Sequence, residues 1–241
     1  MGHSFELPQE AEVGATPEEV WEAIATGPGI DSWFMGRTEV AGGVVRTAFG
    51  GYAPETAVTA SEPPHRFAHA AEPAPDGRFV AYEFLVEGRG RDSTVLRMVT
   101  SGFLPGDDWE NEFEAMGLGL GLFFATLVQY LTHFRGRAAT PVTAFGPPVR
   151  DWPRAWELLH AELGVNGETA RVEPPGLPPA EGVVYRNDSQ TFGVRTGDAI
   201  YRFMRGFDGR MVAAHHLFTA PPPGVEAEWA AWLEKLLAGR A

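Results

Sequence analysis

Apolar residues recur every three or four positions through the middle of the chain: Trp109, Phe113, Met116, Leu120, Phe123, Leu127, Leu131 and Phe134. That spacing sets them on one face of a helix and predicts a single long helix from Asp108 to Arg137. Asp107 and Asp108 precede the first apolar position, where carboxylates cap free amides and oppose the positive helix end. Glu110, Glu112 and Glu114 continue the acidic turns, while Arg135 and Arg137 stand at the far end and Gly136 supplies a stop. One feature disagrees with this pattern. Gly117, Gly119 and Gly121 interrupt the helix, and each glycine costs about 1 kcal/mol relative to alanine in a helix interior. The expected reason is close packing of a sheet against the helix backbone. The competing reading is a hinge, or a widened pocket floor.

Upstream of this helix the pattern changes. Phe5 to Val13 reads as a strand, weakened by Pro8. Thr16, Pro17 and Glu19 form an N-terminal helix signal of cap, proline and capping-box glutamate, and Val20, Trp21, Ile24 and Ala25 are its buried face. Ile30 to Phe34 make a second short helix or turn. Strand patterns follow at Thr38–Ala41, Val44–Phe49, Glu55–Ser61, Arg66–Ala71, Phe79–Glu87 and Thr94–Gly102, separated by glycine and proline pairs of hairpin type. One strand, two short helices, a run of antiparallel strands and a long closing helix predict an α+β fold with the helix across one sheet face.

Several of these segments also resemble a known family. Val20-Trp21 after Thr16-Pro17-Glu18-Glu19, Trp33-Phe34, Gly42-Gly43, the Val58 to Phe67 stretch, Ser101-Gly102-Phe103, and Gly117 followed by Leu127, Tyr130 and Leu131 are similar to the Hsp90 ATPase activator homologue branch of the START-like (SRPBCC, Bet v 1-like) superfamily. The resemblance covers Phe5 to Arg137. It implies a helix-grip fold: a curved antiparallel sheet around the long C-terminal helix, enclosing an apolar cavity. The glycine triplet departs from the family pattern, as does Thr94, which lacks the usual Gly-Gly before it. If that fold holds, the candidate ligand-binding residues are Trp33, Phe34, Arg46, Tyr82, Arg97, Phe103, Glu112, Met116 and Leu120. Arg97, flanked by Leu96 and Met98, would meet a ligand carboxylate or else point outward. Tyr82 would donate a hydrogen bond to a ligand carbonyl or else sit at a sheet edge.

The expected boundaries are a helix-grip domain over 1–139, a linker over 140–150 rich in Pro141, Gly146, Pro147 and Pro148, and a smaller α+β domain over 151–241. In the last segment, Asp151-Trp152-Pro153 opens a helix carrying Trp156, Leu159, His160 and Leu163, with Gly164 as its stop. Four strands follow at Val183–Arg186, Thr191–Arg195, Ala199–Arg205 and Met211–Phe218. A final helix carries Val225, Trp229, Trp232, Leu233 and Leu236. Helix, sheet and closing helix echo the first half. The two readings are a degenerate second helix-grip unit and an unrelated α+β extension.

Charge and composition exclude several functions. The net charge is −13, and most of the acidic excess falls before residue 141. Such a surface repels nucleic acid, and no basic stripe with interleaved aromatics reverses that. There is no cysteine, hence no disulfide framework, thiolate metal site or thiol nucleophile. Lys235 is the only lysine, which disfavours Schiff-base chemistry. His215 and His216 are neighbours on a predicted strand and so point to opposite faces. His65 and His69 are four apart but not on a helix, so no metal is expected. No nucleophile elbow or phosphate-cradling fingerprint is present, and no cofactor is expected. The N-terminus lacks the basic start and apolar run of a signal peptide, and no stretch is expected to reach the ~20 apolar residues of a membrane span, so a cytoplasmic location without membrane insertion is expected. The leading expectation is a binding protein for a small hydrophobic ligand. The alternatives are a cyclase-, aromatase- or hydrolase-type enzyme, and a chaperone-associated interaction module.

Overall fold

The computed structural model describes residues 2–90, 92–107, 109–206 and 208–238 of the 241. Asp108, the expected start of the long helix, lies outside the described residues. Contacts divide the chain into two units, Met1–Ala138 and Ala139–Ala241.

Unit 1 begins with β1 (His3–Val13), followed by helices α1 (Pro17–Ala25) and α2 (Gly27–Ile30). Thr16 caps α1 as its sequence implies. Its hydroxyl accepts from the Glu19 amide at 3.3 Å, while the Glu19 carboxylate accepts from the Thr16 amide at 2.9 Å. Six strands then follow in a meander: β2 (Arg37–Ala41), β3 (Val44–Ala48), β4 (Glu55–Glu62), β5 (Arg66–Ala70), β6 (Phe79–Gly88) and β7 (Thr94–Leu104). Gly42 and Gly43 form the two-residue turn between β2 and β3, with φ of +60° and +77°, the geometry in which glycine carries no side-chain penalty. The antiparallel sheet has the order β1-β7-β6-β5-β4-β3-β2. Because β1 pairs with the last strand, it is an edge. This is why Pro8 is tolerated in it: an edge strand has one side where a missing amide costs no ladder bond. A bulge at Val58/Ala60 of β4 adds to the twist of the sheet.

The closing helix α3 spans Trp109–His133. Its halves differ. From Leu120 to Leu131 it is mostly buried, with Leu122, Leu127 and Leu131 fully covered, and burial reaches beyond the predicted stripe to Phe124 and Tyr130. From Trp109 to Gly119 every described side chain is half-buried or exposed. That first half is held mainly by two ring contacts to β1: His3 stacks on Trp109 with centroids 4.2 Å apart, and Phe5 meets Phe113 at 5.9 Å. A curved antiparallel sheet gripping a long C-terminal helix is the helix-grip architecture.

Two expectations about α3 need correcting. The first is the absence of a membrane-length stretch: α3 is long and apolar enough to cross a bilayer by length and composition, because its glutamates crowd the first turn and leave the rest uncharged. Half of that apolar window is buried inside the protein. The second is close packing as the reason for Gly117 and Gly119. A methyl group at Gly117 or Gly119 would meet nothing within 4 Å.

Unit 2 repeats the plan. The expected linker is instead a strand, β8 (Thr140–Pro148), which pairs antiparallel with the last strand of its sheet. Its prolines read as breakers in sequence, but β8 is an edge, where prolines are allowed. Helix α4 (Trp152–Glu162) follows, capped by the Asp151 carboxylate, which accepts from the Arg154 amide at 3.0 Å. Then come β9 (Thr169–Val172), β10 (Ala180–Asn187), β11 (Thr191–Arg195), β12 (Ala199–Arg205), β13 (Arg210–Leu217) and the closing helix α5 (Val225–Ala238). The sheet order is β8-β13-β12-β11-β10-β9. First strand against last, a helix after the first strand, a meander and a closing helix reproduce unit 1 with one strand fewer. Unit 2 is therefore a second, reduced helix-grip unit.

The glycines of α3 yield a direct test. Gly119→Ala will raise stability by about 0.5–1 kcal/mol in urea unfolding, because the new methyl clashes with nothing and alanine favours the helix. A loss of stability would return the close-packing explanation.

Candidate functional site

Between the concave sheet face and the buried half of α3 lies a cavity of about 30 Å³, within roughly 410 Å³ of atom-free space that includes its opening to solvent. Its walls come from every layer of unit 1. Ile24 of α1 and Ile30 of α2 close one end, with Trp33 and Phe34 from the turn after α2. The sheet contributes Val45 and Thr47 from β3, His69 from β5, Tyr82 and Phe84 from β6, and Met98 from β7. Leu120 and Phe123 of α3 form the roof. The aromatic wall is cross-braced. The Trp33 indole donates to the Ala23 carbonyl at 2.8 Å, and Phe34 bridges Trp33 (5.4 Å between centroids) and Phe123 (4.7 Å).

Strand alternation decides which candidates reach this space. Residues of one parity face inward and their neighbours face out. On β3, Val45 and Thr47 face the cavity, so Arg46 faces solvent, where it pairs with Glu55 at 2.6 Å and Glu39 at 3.3 Å. On β7, Leu96, Met98, Thr100 and Leu104 are buried, so Arg97 is exposed and Phe103 lies on the outer face, half-buried. Glu112 sits in the open half of α3 and pairs with Arg78. Met116, one turn before Leu120, is half-buried and outside the cavity wall. Of the nine sequence candidates, the structure gathers Trp33, Phe34, Tyr82 and Leu120 around one space, and puts Arg46, Arg97, Phe103, Glu112 and Met116 elsewhere.

Sequence reading missed His69, which is the most polar group in the wall. The signal was there: His69 is two residues from Phe67 and thus shares its face of β5. The ring stacks on Tyr82, its direct cross-strand partner, with centroids 5.1 Å apart. His69 Nδ1 and the Thr56 hydroxyl lie 2.8 Å apart. Burial pushes the imidazole down to about 4 and the Tyr82 phenol up to about 12. Both groups are therefore neutral across the physiological range. Thr47 satisfies its hydroxyl on Thr38 at 3.2 Å. None of the twelve wall residues is a carboxylate, lysine or arginine.

In unit 2, Trp229 of α5 is 1% exposed, with ring centroids 4.3 Å from His215 and 6.0 Å from Tyr201 and Phe203. His215 accepts from the Arg202 backbone amide at 3.1 Å, and its burial holds it well below its usual value.

No protein-family model and no curated protein matches the chain. Among solved structures, it is similar to DynU16 of the dynemicin biosynthetic locus at 20% identity, over 97% of this chain and 96% of that one, with a TM-score of 0.45. It is similar to the di-domain ARO/CYC BexL of the BE-7585A biosynthetic pathway at 12% identity, over 88% and 84%, with a TM-score of 0.48. The Aha1 dimer from Colwellia psychrerythraea matches at 20% identity over 53% of this chain and 96% of that one, with a TM-score of 0.43.

The buried imidazole makes stability depend on pH. An unfolded histidine takes a proton near 6.5, whereas folded His69 refuses one until about 4. Stability is thus complete above 6.5 and is lost as pH falls toward 4. Urea unfolding at pH 4.5 against pH 7.5 will show a loss of about 2–3 kcal/mol from His69, with His215 acting in the same direction. His69→Gln will remove its own share of the slope, and an unchanged slope would refute the assignment.

Proposed function

We propose that unit 1 binds a small, predominantly apolar molecule in the cavity between its sheet and α3. The observation that carries this reading is an internal space walled by ten apolar or aromatic side chains or their stems, with a few polar groups among them, the general form of a small-molecule site. A well-packed core of this size leaves few voids larger than a water, and here the void coincides with the centre of the grip.

Size sets the terms. Drug-sized ligands occupy roughly 300–1,000 Å³, an order of magnitude beyond the 30 Å³ found. Anything larger than a few heavy atoms requires Phe34, Leu120 and Phe123 to part. The open half of α3, with Gly117 and Gly119 unencumbered just before Leu120, is the segment best suited to that movement. The enzyme reading has less support. General acid–base catalysis works best with a group poised near the operating pH, and His69 and Tyr82 are pushed far to either side of it.

Two measurements test the proposal. Native mass spectrometry of protein purified from its own host will show a small molecule that is lost on denaturation. Toluene, as a probe, will raise the melting temperature: at ten times its Kd the gain is about 1.4 kcal/mol, a shift of several degrees. Val45→Phe, which fills the cavity from the sheet side, will abolish that shift while remaining folded by circular dichroism. A wild-type melting temperature indifferent to toluene, together with a bare native mass, would overturn the reading.

A further inference from the structure

A polar row crosses the otherwise apolar concave face. His69 of β5, Tyr82 of β6 and Thr100 of β7 are consecutive cross-strand partners, so their side chains share one side of the sheet. His69 and Tyr82 are in the cavity wall. Thr100 lies beyond it, fully buried, with no hydrogen-bond partner for its hydroxyl among the described residues.

The hydrogen bonds of this row are incomplete on the cavity side. His69 uses Nδ1 toward Thr56, which leaves Nε2 without a partner among the described residues. The Tyr82 hydroxyl, carried on a ring with Phe34 on one side and His69 on the other, also has no hydrogen-bond partner among them. Both residues are half-buried, and solvent reaches these atoms through the opening of the cavity; a ligand that displaces that solvent must replace its hydrogen bonds or leave the groups unpaired at a cost in free energy. Phenylalanine would fill the same place in the wall without that cost.

Charge narrows what the partner is. The wall contains no cation to pair with an anion and no carboxylate to pair with a cation. Arg97, which sequence reading offered to a ligand carboxylate, and the other candidate arginine, Arg46, are both exposed. An ionised ligand would be stripped of water with nothing to compensate it.

We infer that the ligand of this cavity is an uncharged molecule, an apolar body bearing one hydroxyl or carbonyl oxygen, and that Tyr82 donates a hydrogen bond to that oxygen with His69 Nε2 as its second contact. This rests on the cavity-binding reading above and goes beyond it by naming the chemistry the cavity selects. Phenols, alcohols and ketones fit; carboxylic acids and amines, ionised at neutral pH, do not.

Three small probes of similar body separate the possibilities: toluene, phenol and benzoate, titrated at pH 7.5 against the full chain by calorimetry or by thermal shift. Phenol is expected to bind about tenfold tighter than toluene, the equivalent of one good hydrogen bond, and benzoate to show no saturable binding. Tyr82→Phe will bring phenol to within about twofold of toluene and leave toluene unchanged. The comparison in the wild-type protein stands even if that variant folds poorly. Equal affinity for phenol and toluene, or tighter binding of benzoate than of phenol, overturns the inference while leaving the cavity reading intact. Failure of all three probes overturns the inference, and together with a bare native mass it overturns the cavity reading as well.

Discussion

The grip of the unit 1 sheet on the second half of α3 is the constraint from which the rest of that unit follows. Leu120, Leu127 and Leu131 are buried against a sheet whose first strand is hydrogen-bonded to its last. That closing pair fixes where the chain enters and where the helix leaves. Because β7 runs directly into α3, the helix must fold back over the concave face. The cavity is what remains where α1, α2 and the turn bearing Trp33 and Phe34 meet that roof.

The two halves of α3 divide stability from access. The C-terminal half is covered by core residues, and moving it would expose fully buried leucines. The N-terminal half has the acidic turns, the two unencumbered glycines, ring contacts to His3 and Phe5, and the Glu112 pair with Arg78. Cooperative opening draws on the segments with fewest buried contacts, so any widening of the cavity begins there. Unit 2 shows the alternative solution on the same topology. Its shorter closing helix buries Trp229, whose ring is met by Tyr201, Phe203 and His215.

The polar residues of the cavity are held in one protonation state. Burial moves the His69 and Tyr82 equilibria in opposite directions, and both movements favour the neutral form. On the proposed binding reading, such a site would distinguish ligands by shape and by a single hydrogen bond rather than by charge. The arginine-rich outer face, with Arg46 between Glu39 and Glu55 and Arg66 between Glu62 and Glu83, consists of solvent-exposed pairs, of the kind that add little to stability.

Sequence alone determined the elements whose signals are local. The capping box at Thr16, the apolar period of α3, the Gly42-Gly43 turn and the strands of the meander are legible because each depends on residues a few positions apart. Three matters were decided only by tertiary structure. Whether β1 and β8 are edges is set by pairing with strands roughly 70–90 residues away in sequence, and only that pairing explains why Pro8, Pro141, Pro147 and Pro148 sit in strands. Which parity of β3 and β7 faces inward is set by the position of α3, so Val45, Thr47 and Met98 reach the cavity while Arg46, Arg97 and Phe103 do not. The role of His69 is the third, since its neighbours Thr56 and Tyr82 come from other strands. Period reveals that a strand has two faces; only the packed helix determines which one looks into the cavity.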